Sequence, residues 1–406
     1  MRNLDCVGLV LAAAMAGCQS APADHATAAP ATVAAAAPTA PLAVAGAVAF
    51  TGFRRYRGAV GGQPVTVELT IGPKSEKSAL LVCEGSYSYD RHPSGQLLLS
   101  APQPLLPSQP LLLAEVDGER PRQATGRWQA NQPAGPTLTG TWTSPSGKQL
   151  LFSLQEDYTD GQGHLMAVRY ELLDERVEGG PCKPDAYDGE DAADYRERAK
   201  GLPAASLDRQ YLHLLGPEAL QPALRALQCP APRERRAAMR AALAEVGDCA
   251  NSTDNLAITY NAHGLLAVSE YHEEYYQGTP HPNHSLDATI YDLRTGQALA
   301  LNSLLKPGTD HALRQLITGA LRTEMELDAA EVLHPAEGDT ATTELPRTGV
   351  GLVAEGLVFE YADNELGAYA YGMPSVTITW ADLLPLLQPH TPVARMLYER
   401  RRWNSK

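Results

Sequence analysis

Apolar positions along residues 47–158 alternate with polar ones in short runs: 65–71 (VTVELTI), 79–83, 96–100, 111–116, 124–128, 137–142 and 150–154. Gly, Pro and Ser clusters separate them. Alternation of period two with closely spaced turn signals predicts an antiparallel β meander or small barrel. Glycines sit beside aromatics at Gly85-Ser86-Tyr87, Gly126-Arg127-Trp128 and Gly140-Thr141-Trp142. That pairing suits tightly curved sheet, where a ring covers bare backbone.

From residue 160 the pattern mixes periods, predicting an α+β domain over 160–406 with a mainly antiparallel sheet. A first strand is expected at 166–173. Apolar residues three and four apart predict helices at 194–199, 206–214, 217–227 and 233–245. Strands are expected at 255–261, 265–275, 284–292, 299–301, 351–353, 357–361 and 375–380. A helix is expected at 311–323, and two more at 381–387 and 393–402.

The N-terminal 46 residues read differently. A run at 7–16 (VGLVLAAAMA) is too short to span a bilayer and ends in Ala16-Gly17-Cys18. It resembles a bacterial lipoprotein signal peptide, with Met15 where Leu is usual and an atypical Asp5. The expectation is cleavage of 1–17, lipidation of Cys18, and anchoring by lipid. An ordinary signal peptide cut near Ala16 is the alternative. Residues 18–46, rich in Ala, Pro and Thr, form a tether. Gln19 and Ser20 after the cysteine point to outer-membrane sorting, facing the periplasm.

The chain has 406 residues and a net charge of −14. No basic field is present to neutralise phosphates, which argues against a nucleic-acid partner. Beyond Cys6 and Cys18, four cysteines remain in an exported chain, which reads as two disulfides. Cys229 and Cys249 flank a helical segment and are the expected local pair, leaving Cys83 with Cys182.

The richest cluster of chemistry is Tyr271-His272-Glu273-Glu274-Tyr275-Tyr276, followed by His281 and His284. Two acids and three imidazoles so close could hold a zinc or manganese ion. In a strand, however, Glu273 and Tyr275 share one face while His272 and Glu274 share the other. No helical H-E-x-x-H is present. A polar, aromatic rim of a binding groove is the better reading, and no cofactor is implied. The acids Asp185, Asp188, Glu190, Asp191 and Asp194 lack EF-hand order and read as a solvated loop and helix start. No G-x-S-x-G elbow, phosphate loop or dinucleotide fingerprint occurs.

Four stretches carry a family resemblance. They are residues 275–284 (YYQGTPHPNH), 290–296 (IYDLRTG) running on to LNSLL and Lys306-Pro307-Gly308, 357–361 followed by LGAYAYG at 366–372, and 376–378 before 383–387. Together, over about 255–390, they resemble domain of unknown function 3298. Gln277 and Thr279 depart from the Gly and Ala usual in its first loop. That family includes the extracytoplasmic part of lysozyme-sensing anti-sigma factors and accompanies some polysaccharide deacetylases. The resemblance implies a lipid-anchored envelope protein that binds a protein (lysozyme-like) or peptidoglycan partner without catalysis. Tyr276, His281, Tyr369 and Tyr371 would be among the contacts of one surface. The alternatives are a cell-wall hydrolase or deacetylase built on His272, His281 and His284, or a purely structural envelope lipoprotein.

Overall fold

The computed structural model describes residues 52–400, apart from 74–79, 107, 119, 121, 181, 183–190, 192, 195–196, 198–199, 201, 203, 217–221, 247–248, 278 and 329–332. The expected signal peptide, Cys18, the expected tether and most of the acidic run lie outside the described residues. Asp191 is described, and its carboxylate accepts the backbone N–H groups of Ala193 and Asp194, as a helix start requires.

Eight antiparallel strands close into a barrel: β1 (Gly52–Val60), β2 (Gln63–Pro73), β3 (Leu81–Tyr89), β4 (His92–Ser100), β5 (Leu112–Asp117), β6 (Ala124–Ala130), β7 (Thr137–Thr143) and β8 (Gln149–Glu156). Period-two alternation decides which side chains enter. Val65, Val67, Leu69 and Ile71 of β2 are buried in the barrel core, while Thr66, Glu68 and Thr70 point out. Closure depends on β1, whose GFRRYRGAV sequence offers no apolar alternation to announce a strand. It pairs with both β2 and β8. A Cβ at Gly58 would lie 2.0 Å from the Ser153 carbonyl oxygen, so only glycine lets β1 close against β8. Gly126 has the indole of Trp142 packed on its bare backbone, as the glycine–aromatic spacing predicts.

A carboxylate enters the barrel. Glu115, 2% exposed, accepts hydrogen bonds from the Tyr87 hydroxyl at 2.9 Å and from the indole N–H groups of Trp128 and Trp142, both at 2.7 Å. Three donors converging on one carboxylate oxygen satisfy a group that would otherwise be costly to bury.

The second half holds a six-stranded sheet in the order β14–β13–β12–β11–β10–β9. Its strands are β9 (Arg169–Glu178), β10 (Ser206–Leu215), β11 (Ala250–Ala262), β12 (Leu265–Tyr276), β13 (Asn283–Asp292) and β14 (Gln297–Ala298). All neighbours are antiparallel except β10 and β11, which are parallel and joined through helix α1 (Pro232–Val246). The helix expected at 206–214 is strand β10: its mixed apolar spacing fits either period, and continuous pairing with β9 from Ser206↔Glu178 to Leu215↔Arg169 decides the outcome. Of the helix expected at 217–227, the described part is a 3-10 turn, Pro222–Leu227. A two-stranded ribbon of β15 (Pro335–Ala336) and β16 (Asp339–Thr343) follows α2 (Asp310–Glu324). A three-stranded sheet contains β17 (Val350–Leu352), β18 (Gly356–Glu360) and β19 (Ser375–Thr379), and α3 (Pro392–Glu399) closes the described chain.

The largest core sits between the β11–β13 face and these later elements. Leu265, Ala267 and Ile290 meet Leu313 and Ile317 of α2, Leu357 and Phe359 of β18, and Met396 and Leu397 of α3. Barrel and sheet are also tied together. Phe53 of β1 stacks on Tyr170 of β9 with ring centroids 6.1 Å apart, and Arg169 of β9 reaches Glu156 of β8 at 3.8 Å.

The expected cysteine pairing is corrected. Cys182 bonds to Cys249, while Cys83 and Cys229 are free thiols. Cys83 is a barrel core residue on β3, enclosed by neighbours such as Ile71 and Leu99, and has no route to Cys182. Cys229 lies beside Arg235 of α1, whose guanidinium reaches its sulfur at 3.5 Å. Among the described residues, no helix is long and apolar enough to cross a membrane.

Candidate functional site

The β12–β13 hairpin positions the site. Its register pairs Glu273 directly with His284 and Tyr271 with Leu286. Odd-numbered residues of β12 face the large core, where Leu265 and Ala267 are buried. Beyond the end of that core, the same face presents Tyr271 and Glu273 beside His284. The loop after β18 then covers it. Asn364 adopts a left-handed backbone, φ 63°. The Glu365 carboxylate ties the loop down by accepting the N–H groups of Ala362 and Arg347. This brings Asp363 onto the hairpin.

His284 is the hub. Its backbone N–H donates to Asp363 Oδ2 at 3.0 Å, and its Nδ1 meets the same oxygen at 2.7 Å. The Asp363 side chain is only 5% exposed. On the other side of the ring, Nε2 lies 3.3 Å from Glu273. The imidazole is stacked near Tyr271 and Tyr369, at centroid distances of 5.6 and 6.2 Å. Tyr271 donates to Glu273 at 3.2 Å. Burial and the Glu273 carboxylate both push its phenol well above the usual range.

His281, exposed at the hairpin tip, lies flat on Tyr369 with centroids 3.7 Å apart. Tyr369 opens the short 3-10 turn Tyr369–Tyr371, and Tyr371 packs its ring 3.1 Å from where a Gly367 Cβ would stand. The loops 277–284 and 364–372 therefore meet, and His281, Tyr369 and Tyr371 lie in one neighbourhood. Tyr276 does not join them. Strand alternation sends it to the opposite face with Glu274 and His272.

His272 likewise departs from His281 and His284. Its Nδ1 contacts Asp254 at 2.5 Å, and Asp254 pairs with Arg209 at 2.6 Å. The Asp254 bond raises the His272 pKa. Among the described residues, no three His, Cys, Asp or Glu side chains gather as a metal-binding set. Asp363 carries no signal in the sequence, because nothing distinguishes an isolated Asp whose partner lies on a distant hairpin.

Residues 302–381 match the sequence model of a family described as a protein of unknown function, DUF3298. The C-terminal part of the chain carries a DUF3298 domain. The match lies inside the 255–390 span expected from the motifs. It contains α2, the β17–β19 sheet and the Asp363–Tyr371 loop, while the β12–β13 hairpin precedes it. Two solved structures are similar. A DUF3298 family protein from Pseudomonas aeruginosa is 19% identical, with 55% of this chain and 95% of that chain covered and a TM-score of 0.39. A member from Bacteroides fragilis is 13% identical, with 59% and 100% covered and a TM-score of 0.43. No curated protein matches in sequence.

Proposed function

We propose that this is a lipid-anchored cell-envelope protein, held through Cys18 in the outer membrane facing the periplasm, whose DUF3298 domain and β12–β13 hairpin bind a protein or peptidoglycan partner without catalysis. The His281–Tyr369 stack carries the reading. It joins two loops into one exposed surface of rings on a rigid sheet, and exposed aromatics on rigid supports are where binding energy concentrates. Aromatic faces suit either a sugar ring or a protein side chain. The family resemblance supplies a lysozyme-like protein or peptidoglycan as the partner class.

A hydrolase or deacetylase is the second reading. Asp363 orients His284 through Nδ1, the arrangement that serves a general base. Against it, Nε2 meets the Glu273 carboxylate, so two acids span the ring and it is not aimed at a hydroxyl or thiol.

The experiment is capture of lysozyme and of soluble peptidoglycan fragments on the immobilised chain, with the supernatant assayed for cleaved or deacetylated products. Saturable retention without product supports binding. Product formation supports the enzyme, and neither outcome would leave only a structural lipoprotein. Membrane fractionation of Cys18→Ser tests the anchor: release from the membrane is expected, and normal partitioning contradicts it.

A further inference from the structure

A second recess lies away from the histidine site. The outer face of β1–β3 forms one wall of a cleft of about 630 Å³, and β11 with His263, Ala354 and Glu399–Arg400 forms the other. That volume is in the range of small-molecule sites. The barrel wall is built by register. Arg55 stands opposite Glu68, which stands opposite Ser86; Arg57 stands opposite Thr66, which stands opposite Ser88. Their alternate neighbours Tyr56, Val67 and Tyr87 fill the barrel core. The β1–β3 ribbon thus turns two polar rows toward the cleft, with stacked Phe53 and Tyr170 beside them.

Glu68 is the group left short. Its one partner among the described residues is Arg55 Nε at 3.7 Å, beyond hydrogen-bond reach. Arg55 itself is spent on backbone carbonyls, at 2.6 Å to Asp157 and 3.1 Å to Thr159. Glu68 sits deep, yet 28% of its side chain stays open to the cleft it lines. Burial raises its pKa against the opposing pull of Arg55, His263 and Arg400. Across the cleft, His263 adopts a left-handed backbone with φ 53° and turns Nδ1 to Glu399 at 3.1 Å. Arg400 donates to the Ala354 carbonyl at 2.6 Å.

We propose that this cleft binds a neutral, polyhydroxylated ligand, a saccharide of one or two rings. Arg55, Arg57 and Arg400 share the lining with Glu68, Asp90, Asp160 and Glu399, and Arg55 and Arg57 face Glu68 and Asp90 at 3.7 and 3.9 Å, so the charges largely offset and no one-signed field is left to hold an ion. A ligand hydroxyl facing Glu68 can donate to the part of its carboxylate that stays open to the cleft, a hydrogen bond strengthened by the charge on the acceptor. Thr70 and Ser88 offer further hydroxyls, and the Phe53–Tyr170 wall offers an apolar surface for the C–H face of a ring. The site is separate from the histidine surface and does not rest on the binding reading given for it.

The test is titration of the full chain with maltose, cellobiose and N,N′-diacetylchitobiose, followed by saturation-transfer NMR and calorimetry. At least one should bind with a dissociation constant of about 1 mM or tighter. Glu68→Gln, which keeps the side-chain shape, should weaken it roughly ten-fold, equal to about 1.4 kcal/mol. Thr70→Trp, filling the cleft from the barrel wall, should abolish it. Thermal melts establish that both variants are folded. Failure of all three sugars to bind overturns the proposal. So does equal affinity in folded Glu68→Gln and Thr70→Trp, or preferential binding of inorganic phosphate or an alkylamine.

Discussion

His281 and Tyr369 lie face to face, ring centroids 3.7 Å apart and planes 20° apart, although one belongs to the β12–β13 hairpin and the other to the loop after β18. The contact sits on a deeper one, between His284 and Asp363, that fixes the same two segments. The outer pair can therefore present rings without itself holding the fold, whereas the inner pair cannot be removed without consequence.

Replacement of Asp363 by Ala should lower stability by about 1–3 kcal/mol, because the part-buried backbone N–H of His284 and its Nδ1 lose their common partner. Urea denaturation at neutral pH measures it. An unchanged midpoint would show that the loop is anchored by Glu365 alone.

The thiols separate by environment. Burial in the barrel pushes the Cys83 pKa to about 12, so native protein should alkylate at Cys229 well before Cys83. After denaturation without reductant, both should react, while Cys182 and Cys249 stay blocked; peptide mass spectrometry reads the four sites. The Cys182–Cys249 bond spans 67 positions and contributes about 4 kcal/mol in the chain-entropy description. Cys249→Ser should cost a few kcal/mol, and a negligible loss would place the stabilising role elsewhere.

The His272–Asp254 contact gives a pH dependence of defined sign. The hydrogen bond to Asp254, reinforced by charge attraction to Asp254 and Glu274, raises the His272 pKa against burial and Arg209. A raised histidine stabilises the fold fully below its unfolded value, about 6.5, and loses that contribution as pH rises through the folded value. The urea midpoint of the parent protein should fall relative to His272→Gln across that window. NMR titration giving a His272 value below that of an unfolded peptide would reverse the sign.

Much of the fold was legible because period two survives in isolation: the β2, β7 and β8 alternations mark barrel strands whatever surrounds them. β1 was not, since Arg54, Arg55 and Arg57 hide a strand whose core side chains are Tyr56 and Val60. β10 misled because Leu207, Tyr211 and Leu214 fit helical spacing until β9 pairs with it. At the site, the separation of Glu273 from His272 follows from strand geometry alone. The meeting of His284 with Asp363 does not, because no local pattern specifies which loop will cover the hairpin. The family resemblance puts Tyr276 on one surface with His281, whereas strand alternation sends it to the face opposite Tyr275. The Cys229–Cys249 expectation failed because flanking the same helix is not proximity.

The central claim is that the His281–Tyr369 surface, on its rigid hairpin and loop, is where the partner binds. The most direct measurement is the affinity of the immobilised chain for the captured partner, compared among the parent protein, the double variant His281→Ala/Tyr369→Ala, and Tyr276→Ala. The double variant should lose about 1–3 kcal/mol of binding, roughly five- to 150-fold, with thermal stability nearly unchanged. Tyr276→Ala should bind as the parent does. Undiminished binding by the folded double variant, or a loss confined to Tyr276→Ala, would contradict the account.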